Sequence, residues 1–226
     1  MGENIVNTIV DLFRENKWRE IINKYHDHPD RNKLLWVYPS EDNLIFLKEC
    51  LLELSCTKVL SIGCGSGLLE WIIKKATGFP VNGVEVDGAW WHCKYAPPTF
   101  IPLHVTGTTL EKDIIAVLKN SHNVAILFCY FNNRPAFETY MEHYSGFVLI
   151  IVGPGNGKAV YTDPKPFEDL GQEWKLYKWE EVRDIGDRIN GSLHVANKPG
   201  SFSASYITIA WNRHIFHRLV LRIRGY

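Results

Sequence analysis

The sequence predicts a doubly wound α/β domain with a mostly parallel sheet, preceded by an N-terminal helical extension. Three observations carry this. A short apolar run, Val59-Leu60-Ser61-Ile62, ends in the turn Gly63-Cys64-Gly65-Ser66-Gly67, and an apolar-periodic segment follows at once. A second apolar run, 81–86, carries the acid Glu85, 22 residues beyond Gly63. Apolar runs and helical periodicity then alternate as far as Gly153, after which two segments, 174–179 and 205–211, alternate like strands.

Each element has its own signal. Residues 4–24 read as one helix, with Ile5, Ile9, Leu12 and Phe13 on a face that Trp18, Ile21 and Ile22 extend. A polar loop, 25–31, closes this extension, so residues 1–33 are assigned to it and 34–226 to the α/β domain. Leu34 to Tyr38 is a short apolar run ended by Pro39. Ser40 then caps a helix over 41–54, with Glu41 and Asp42 in its first turn. Strand one is 58–62, its helix 67–77, and strand two 81–86. Strand three is expected over 100–105 and a helix over 108–119. The continuous apolar run 124–130 fits a central parallel strand buried on both faces. A short helix over 135–144 and a fifth strand over 147–152 complete the alternation. A Gly/Ser/Pro-rich stretch, 186–203, separates the two late strands.

Composition excludes several classes. A chain of 226 residues that is 46% apolar is one domain with a proper core. Its 25 basic and 25 acidic residues cancel, which argues against broad electrostatic binding to nucleic acid. The run Arg213 to Arg224 has four arginines and no acid, and reads as an amphipathic terminal element with a solvated basic face. It is also the one local patch that suits RNA or an acidic partner. Five cysteines form an odd, irregularly spaced set and read as reduced thiols, so the expected compartment is cytoplasmic, with the nucleus as alternative. No apolar signal core or membrane-length run occurs, so no membrane partner is expected. Val6 stands where a myristoylation signal wants Ser or Thr. No metal is expected: His26 and His28, and likewise His214 and His217, lack further ligands in register.

The chemistry lies in the glycine turn. Glycines let the backbone turn sharply and approach a ligand closely. The following helix offers free N–H groups and the positive end of its dipole to an anion. An acid ending the second strand accepts hydrogen bonds from a ribose diol. A dinucleotide fingerprint would need a third glycine at position 68, where this chain has Leu68, so a nucleotide-binding oxidoreductase is disfavoured. No Gly-Lys-Ser/Thr follows at the spacing a P-loop needs.

The pattern Ile62-Gly63-Cys64-Gly65-Ser66-Gly67 resembles motif I of class I S-adenosylmethionine (SAM)-dependent methyltransferases. Val84-Glu85-Val86 resembles the acidic motif of that family at the end of strand two. The resemblance spans roughly residues 35–212, its two specific motifs lying within 62–87. It implies a seven-stranded, mostly parallel sheet whose last hairpin inserts an antiparallel seventh strand, and SAM as cofactor. It further implies that Gly63, Cys64, Gly65 and Gly67 line the methionine and ribose and that Glu85 takes both ribose hydroxyls. Val86 and Asp87 would border the adenine, with Trp90 and Trp91 close by, and Tyr38 would belong to a segment folded over the cofactor.

The end of strand four faces the transferred methyl group in that family. Here it reads Cys129-Tyr130-Phe131-Asn132-Asn133-Arg134-Pro135, without the Pro-Pro pair of the DNA and N6-adenine subclass. Tyr130, Asn132 and Asn133 are the polar candidates beside the acceptor, although Asn133 also suits a helix cap. His104 and His143 are candidate bases. The implied function is methyl transfer to a small molecule or a protein side chain. A catalytically silent SAM-binding sensor or scaffold is the alternative, because a binding half does not imply a catalytic half. The sequence leaves the oligomeric state open.

Overall fold

In the computed structural model, residues 4–107, 109–155, 161–184, 205–212 and 215 are described. The elements in order are α1 (Ile5–Arg14), α2 (Trp18–Lys24), β1 (Val37–Tyr38), α3 (Glu41–Glu53), β2 (Lys58–Ile62), α4 (Leu68–Thr77), β3 (Val81–Val86) and α5 (Gly88–Trp91). There follow β4 (Leu103–Thr106), α6 (Lys112–Lys119), β5 (Val124–Cys129), α7 (Arg134–His143), β6 (Val148–Pro154), β7 (Trp174–Asp184) and β8 (Ser205–Asn212).

The strands form one sheet in the order β1-β7-β8-β6-β5-β2-β3-β4. Strands β2 to β6 pair in parallel, while β8 runs antiparallel to both β6 and β7. The seven strands from β2 to β8 therefore make the sheet that the class I methyltransferase resemblance implies, with the last strand inserted between the fifth and the sixth. The two-residue β1 adds an eighth strand at the edge, pairing Val37 with Asp184 and Tyr38 with Arg183. β2 lies at the switch point, between β3 on one side and β5 on the other, which is where open α/β sheets bind ligands.

Two apolar cores sandwich the sheet. One gathers α1, α2, α3 and α4 against β2, β5 and β6 through residues such as Ile9, Ile21, Leu47 and Ile72. The other holds α6 and α7 through Leu118, Phe137 and Tyr140. β5 is buried from Val124 to Phe128, as expected of a strand covered on both faces.

Several expectations need correction. The N-terminal segment is two helices, not one. Asn16 takes a left-handed conformation, φ 60°, and Lys17 N–H donates to Leu12 O at 2.8 Å, which turns the chain between α1 and α2. Both helices enter the main core, and Phe13 packs edge-on against Trp71 and Phe100 at 4.9 and 5.2 Å. Strand three begins at Leu103 instead of residue 100, because Phe100 N–H donates to Ser66 O at 2.8 Å and holds that stretch against the glycine turn. The following helix starts only at Lys112. β7 runs on to Asp184, where it meets β1. Ser40 caps α3 as expected, in a reciprocal capping box with Asn43. The basic run 213–224, apart from Ile215, and the stretch 186–203 lie outside the described residues.

Two glycines near the turn are closely packed. Gly67 caps α4 with φ 77°, and a Cβ there would lie 2.4 Å from Ile101 Cγ1. A Cβ on Gly83 would lie 2.4 Å from Cys64 Sγ. Gly67→Ala combines left-handed strain with overpacking and is expected to cost about 2–4 kcal/mol in urea unfolding.

Candidate active site

The turn Gly63–Gly67 is built from alternating backbone conformations, with φ of 68°, 58° and 77° at its three glycines. Gly63 N–H donates to Val84 O at 2.9 Å, so the turn continues the β2–β3 ladder before breaking away. At the tip of β3, Glu85 reaches across to it. Glu85 Oε2 accepts Gly65 N–H at 2.7 Å, and Oε1 accepts the N–H of Val86 at 2.8 Å. A carboxylate has about four acceptor positions, so two stay free for a diol.

The turn forms one wall of a cavity of about 390 Å³, within the range of small-molecule sites. Gly63, Cys64, Gly65 and Ser66 lie on that wall, with Leu68, Leu69 and Glu70 of α4. The segment Asn32–Val37 also lines it, as do Cys129, Tyr130 and Asn132 at the end of β5. Trp91, Pro97 and Tyr161 complete the lining.

The β5 end is shaped by several restraints. Tyr130 is left-handed, φ 51°, and its hydroxyl sits 3.0 Å from Ser205 Oγ. Its ring lies 5.8 Å from that of Trp36, whose residue is 49% exposed at the cavity mouth. Asn132 pairs with Asp163 through a β-bridge, and Asp163 N–H donates to Phe131 O at 2.7 Å. Arg134 forms ion pairs with Asp163 and Glu168, which ties the 161–168 segment to the start of α7. Tyr161 is thereby carried to the cavity. Burial pushes the Cys129 thiol well above its usual range, so it stays protonated at neutral pH and is no nucleophile.

Not every residue expected at the site is there. Tyr38 is 2% exposed and outside the lining, its hydroxyl donating to Arg31 O at 3.0 Å, whereas its neighbours Trp36 and Val37 face the cavity. Asn133 caps α7 by accepting Ala136 N–H at 3.1 Å. His104 is exposed on β4 at the sheet edge, and neither it nor His143 lines the cavity. Val86 is exposed, and Asp87 caps α5 by accepting Trp90 N–H at 3.1 Å. Gly67 serves as the cap of α4 instead of as lining.

Among the lining residues that the sequence did not point to, two are buried and polar. Glu70 is 1% exposed; its Oε1 accepts the Ser61 hydroxyl at 2.7 Å, and its Oε2 has no hydrogen-bond partner among the described residues. Burial pushes its pKa up to about 7, against the opposing Ser61 hydrogen bond. Ser66 is also buried, and its hydroxyl likewise lacks a partner among the described residues. The signal was a lone acid inside Leu68-Leu69-Glu70-Trp71-Ile72-Ile73, at a position that periodicity assigns to the core. These orphaned buried polar atoms suit a polar ligand; Glu85 holds the turn without itself lining the cavity. Among the described residues, no three His, Cys, Asp or Glu side chains are grouped to hold a metal ion, and no helix is long and apolar enough to cross a membrane.

No protein-family model matches the chain, and no curated protein matches it. Solved structures of similar chain path include magnesium protoporphyrin IX methyltransferase from Synechocystis PCC 6803 with bound SAM, at 14% identity over 93% of this chain and 98% of that one, TM-score 0.40. A variant of MtNAS in complex with S-adenosylmethionine is 13% identical over 92% of this chain and 75% of that one, TM-score 0.46. The methyltransferase domain of bacterial CtHen1 is 12% identical over 76% of this chain and 97% of that one, TM-score 0.44.

Proposed function

We propose that the protein is a SAM-dependent methyltransferase acting on a small molecule or a protein side chain. The observation that carries this is the glycine turn, which Glu85 holds through Gly65 N–H and which lies on the wall of a cavity that also reaches the end of β5. Gly63 and Gly65 bring backbone close to the ligand, and Glu85 has acceptor positions left for the ribose hydroxyls.

The bound sulfonium supplies an already activated methyl group, so the chain needs mainly to align and to exclude water. Tyr130 and Asn132 border the acceptor end, Tyr130 held by Ser205 and Asn132 by its bridge to Asp163. Trp36 and Tyr161 supply apolar area at the mouth, suited to an acceptor with a flat or aliphatic body. In-line attack requires the nucleophile at about 3–3.5 Å from the methyl carbon, and these walls set that approach.

A second reading is a silent SAM-binding sensor. It is favoured by the positions of His104 and His143 outside the cavity, which leave Glu70 as the one carboxyl among the described lining residues and no histidine there. Titration calorimetry with SAM, S-adenosylhomocysteine and NADH tests the binding half: heat with the first two and none with NADH is expected, and the reverse overturns the proposal. Transfer of labelled methyl from SAM into fractionated cell extract separates enzyme from sensor.

A further inference from the structure

One aromatic side chain is fixed at the cavity and yet left open to solvent. Trp36 stands between Leu35 and Val37, which are both buried, but is itself half exposed. Its backbone is held from both sides. Leu35 N–H donates to Arg31 O at 3.3 Å, and Val37 and Tyr38 pair with β7 as the edge strand β1. β1 lies outside the seven strands from β2 to β8, so this restraint is an addition to that sheet. The Trp36 ring lies 5.8 Å from that of Tyr130, tilted by 35°. Tyr130 has a left-handed φ of 51°, which a bulky residue keeps only where its surroundings impose it, and its hydroxyl meets Ser205 Oγ at 3.0 Å. Tyr161, 58% exposed, is a third ring on the lining, and its hydroxyl donates to Asp163 at 3.2 Å.

Rings held in place with exposed area are a stacking surface, and the charges nearby decide for what. Lys33, paired with the exposed Asp30 at 3.2 Å, lines the same cavity, whereas Asp30 does not. The Lys165 ammonium lies 5.3 Å from the centre of the Tyr161 ring. Glu70, the one carboxyl on the described lining, is buried and offers little to a guest at the mouth. This balance disfavours a cationic guest, which aromatic rings would otherwise suit. A saturated body gains only from buried area, while ring-on-ring contact adds a preference of about threefold to tenfold for each pair. We propose that Trp36 determines acceptor specificity by stacking a flat, neutral or anionic aromatic ring, with Tyr130 and Tyr161 completing the surface. This rests on the methyltransferase reading above and narrows it to an aromatic acceptor, whose nucleophile reaches the end of β5.

The test uses two probes of the same skeleton, 2-naphthol and the saturated decahydro-2-naphthol, titrated by ligand-observed NMR into protein loaded with S-adenosylhomocysteine. Wild type is expected to bind 2-naphthol roughly tenfold more tightly than the saturated probe. Trp36→Ala is expected to remove that preference by weakening 2-naphthol roughly tenfold, and Trp36→Phe, which keeps a ring, to retain it within about threefold. S-adenosylhomocysteine affinity, read by calorimetry, should change by less than about twofold in both variants. Equal wild-type affinity for the two probes overturns the proposal, because the mouth is then merely apolar. A preference that survives in Trp36→Ala also overturns it, since another surface then reads the ring. A loss of S-adenosylhomocysteine affinity in Trp36→Ala as large as the loss of 2-naphthol would assign Trp36 to the cofactor instead. Wild type that binds S-adenosylhomocysteine but neither probe overturns the acceptor assignment alone, whereas wild type that does not bind S-adenosylhomocysteine overturns the methyltransferase reading and the acceptor assignment with it.

Discussion

Replacing Glu85 by Ala is expected to weaken SAM and S-adenosylhomocysteine binding by about 100-fold or more in calorimetry. Two effects add. Two hydrogen bonds from a ribose diol to a carboxylate contribute on the order of 1.5–3 kcal/mol each. The same substitution frees Gly65 N–H, which Glu85 Oε2 accepts at 2.7 Å, and so releases the glycine turn from the tip of β3. Glu85→Gln separates the two effects, since an amide retains one oxygen that can still accept Gly65 N–H. An intermediate loss with Gln is therefore expected, and methyl transfer should fall in the same order. A Glu85→Ala protein that binds SAM like wild type would remove the main support for the proposed cofactor site.

Glu70→Gln is expected to make the unliganded protein more stable at pH 8. The sign follows from linkage. The folded carboxyl ionises near pH 7 instead of its ordinary 4.5, because burial disfavours the charge. Below pH 4.5 both folded and unfolded chains hold the proton and nothing is lost. Between 4.5 and 7 the unfolded chain ionises first, so stability falls as pH rises. Above 7 the cost is constant, at about 3 kcal/mol. Removing the charge should recover about 1–3 kcal/mol at pH 8, or several degrees in Tm for a domain of this size, and the gain should shrink toward pH 5. Thermal unfolding of both proteins across pH 5–8 reads this directly. A gain that does not depend on pH would mean that packing, not ionisation, is responsible.

The two predictions concern two acids that differ in how visible they are from the chain. Glu85 ends an apolar strand at a fixed distance from a glycine turn, and both features are local. Glu70 looks like an ordinary helix position until β2 places Ser61 against it. Tyr38 shows the same limit. The pairing of Val37 and Tyr38 with β7 is long-range, and Tyr38 ends buried with its hydroxyl on Arg31 O while Trp36 and Val37 line the cavity. His104 fell away from the site because β4 is the outermost parallel strand. Asn133 was read both as a cap and as a site residue, and the nearness of Ala136 N–H made it a cap.

By itself the sequence determined the βαβ unit, the glycine turn, the acid at the end of β3 and the order of the remaining elements. These follow from short-range chemistry: left-handed φ that glycine accepts, hydrophobic period, and capping. Only the tertiary structure decided which side chains enclose the cavity. That choice depends on β5 lying beside β2, with Ile62 opposite Phe128, and on the 161–168 segment being drawn in by Arg134. Residues far apart in the chain meet there, and whether a polar atom finds a partner or is left for a ligand depends on that meeting.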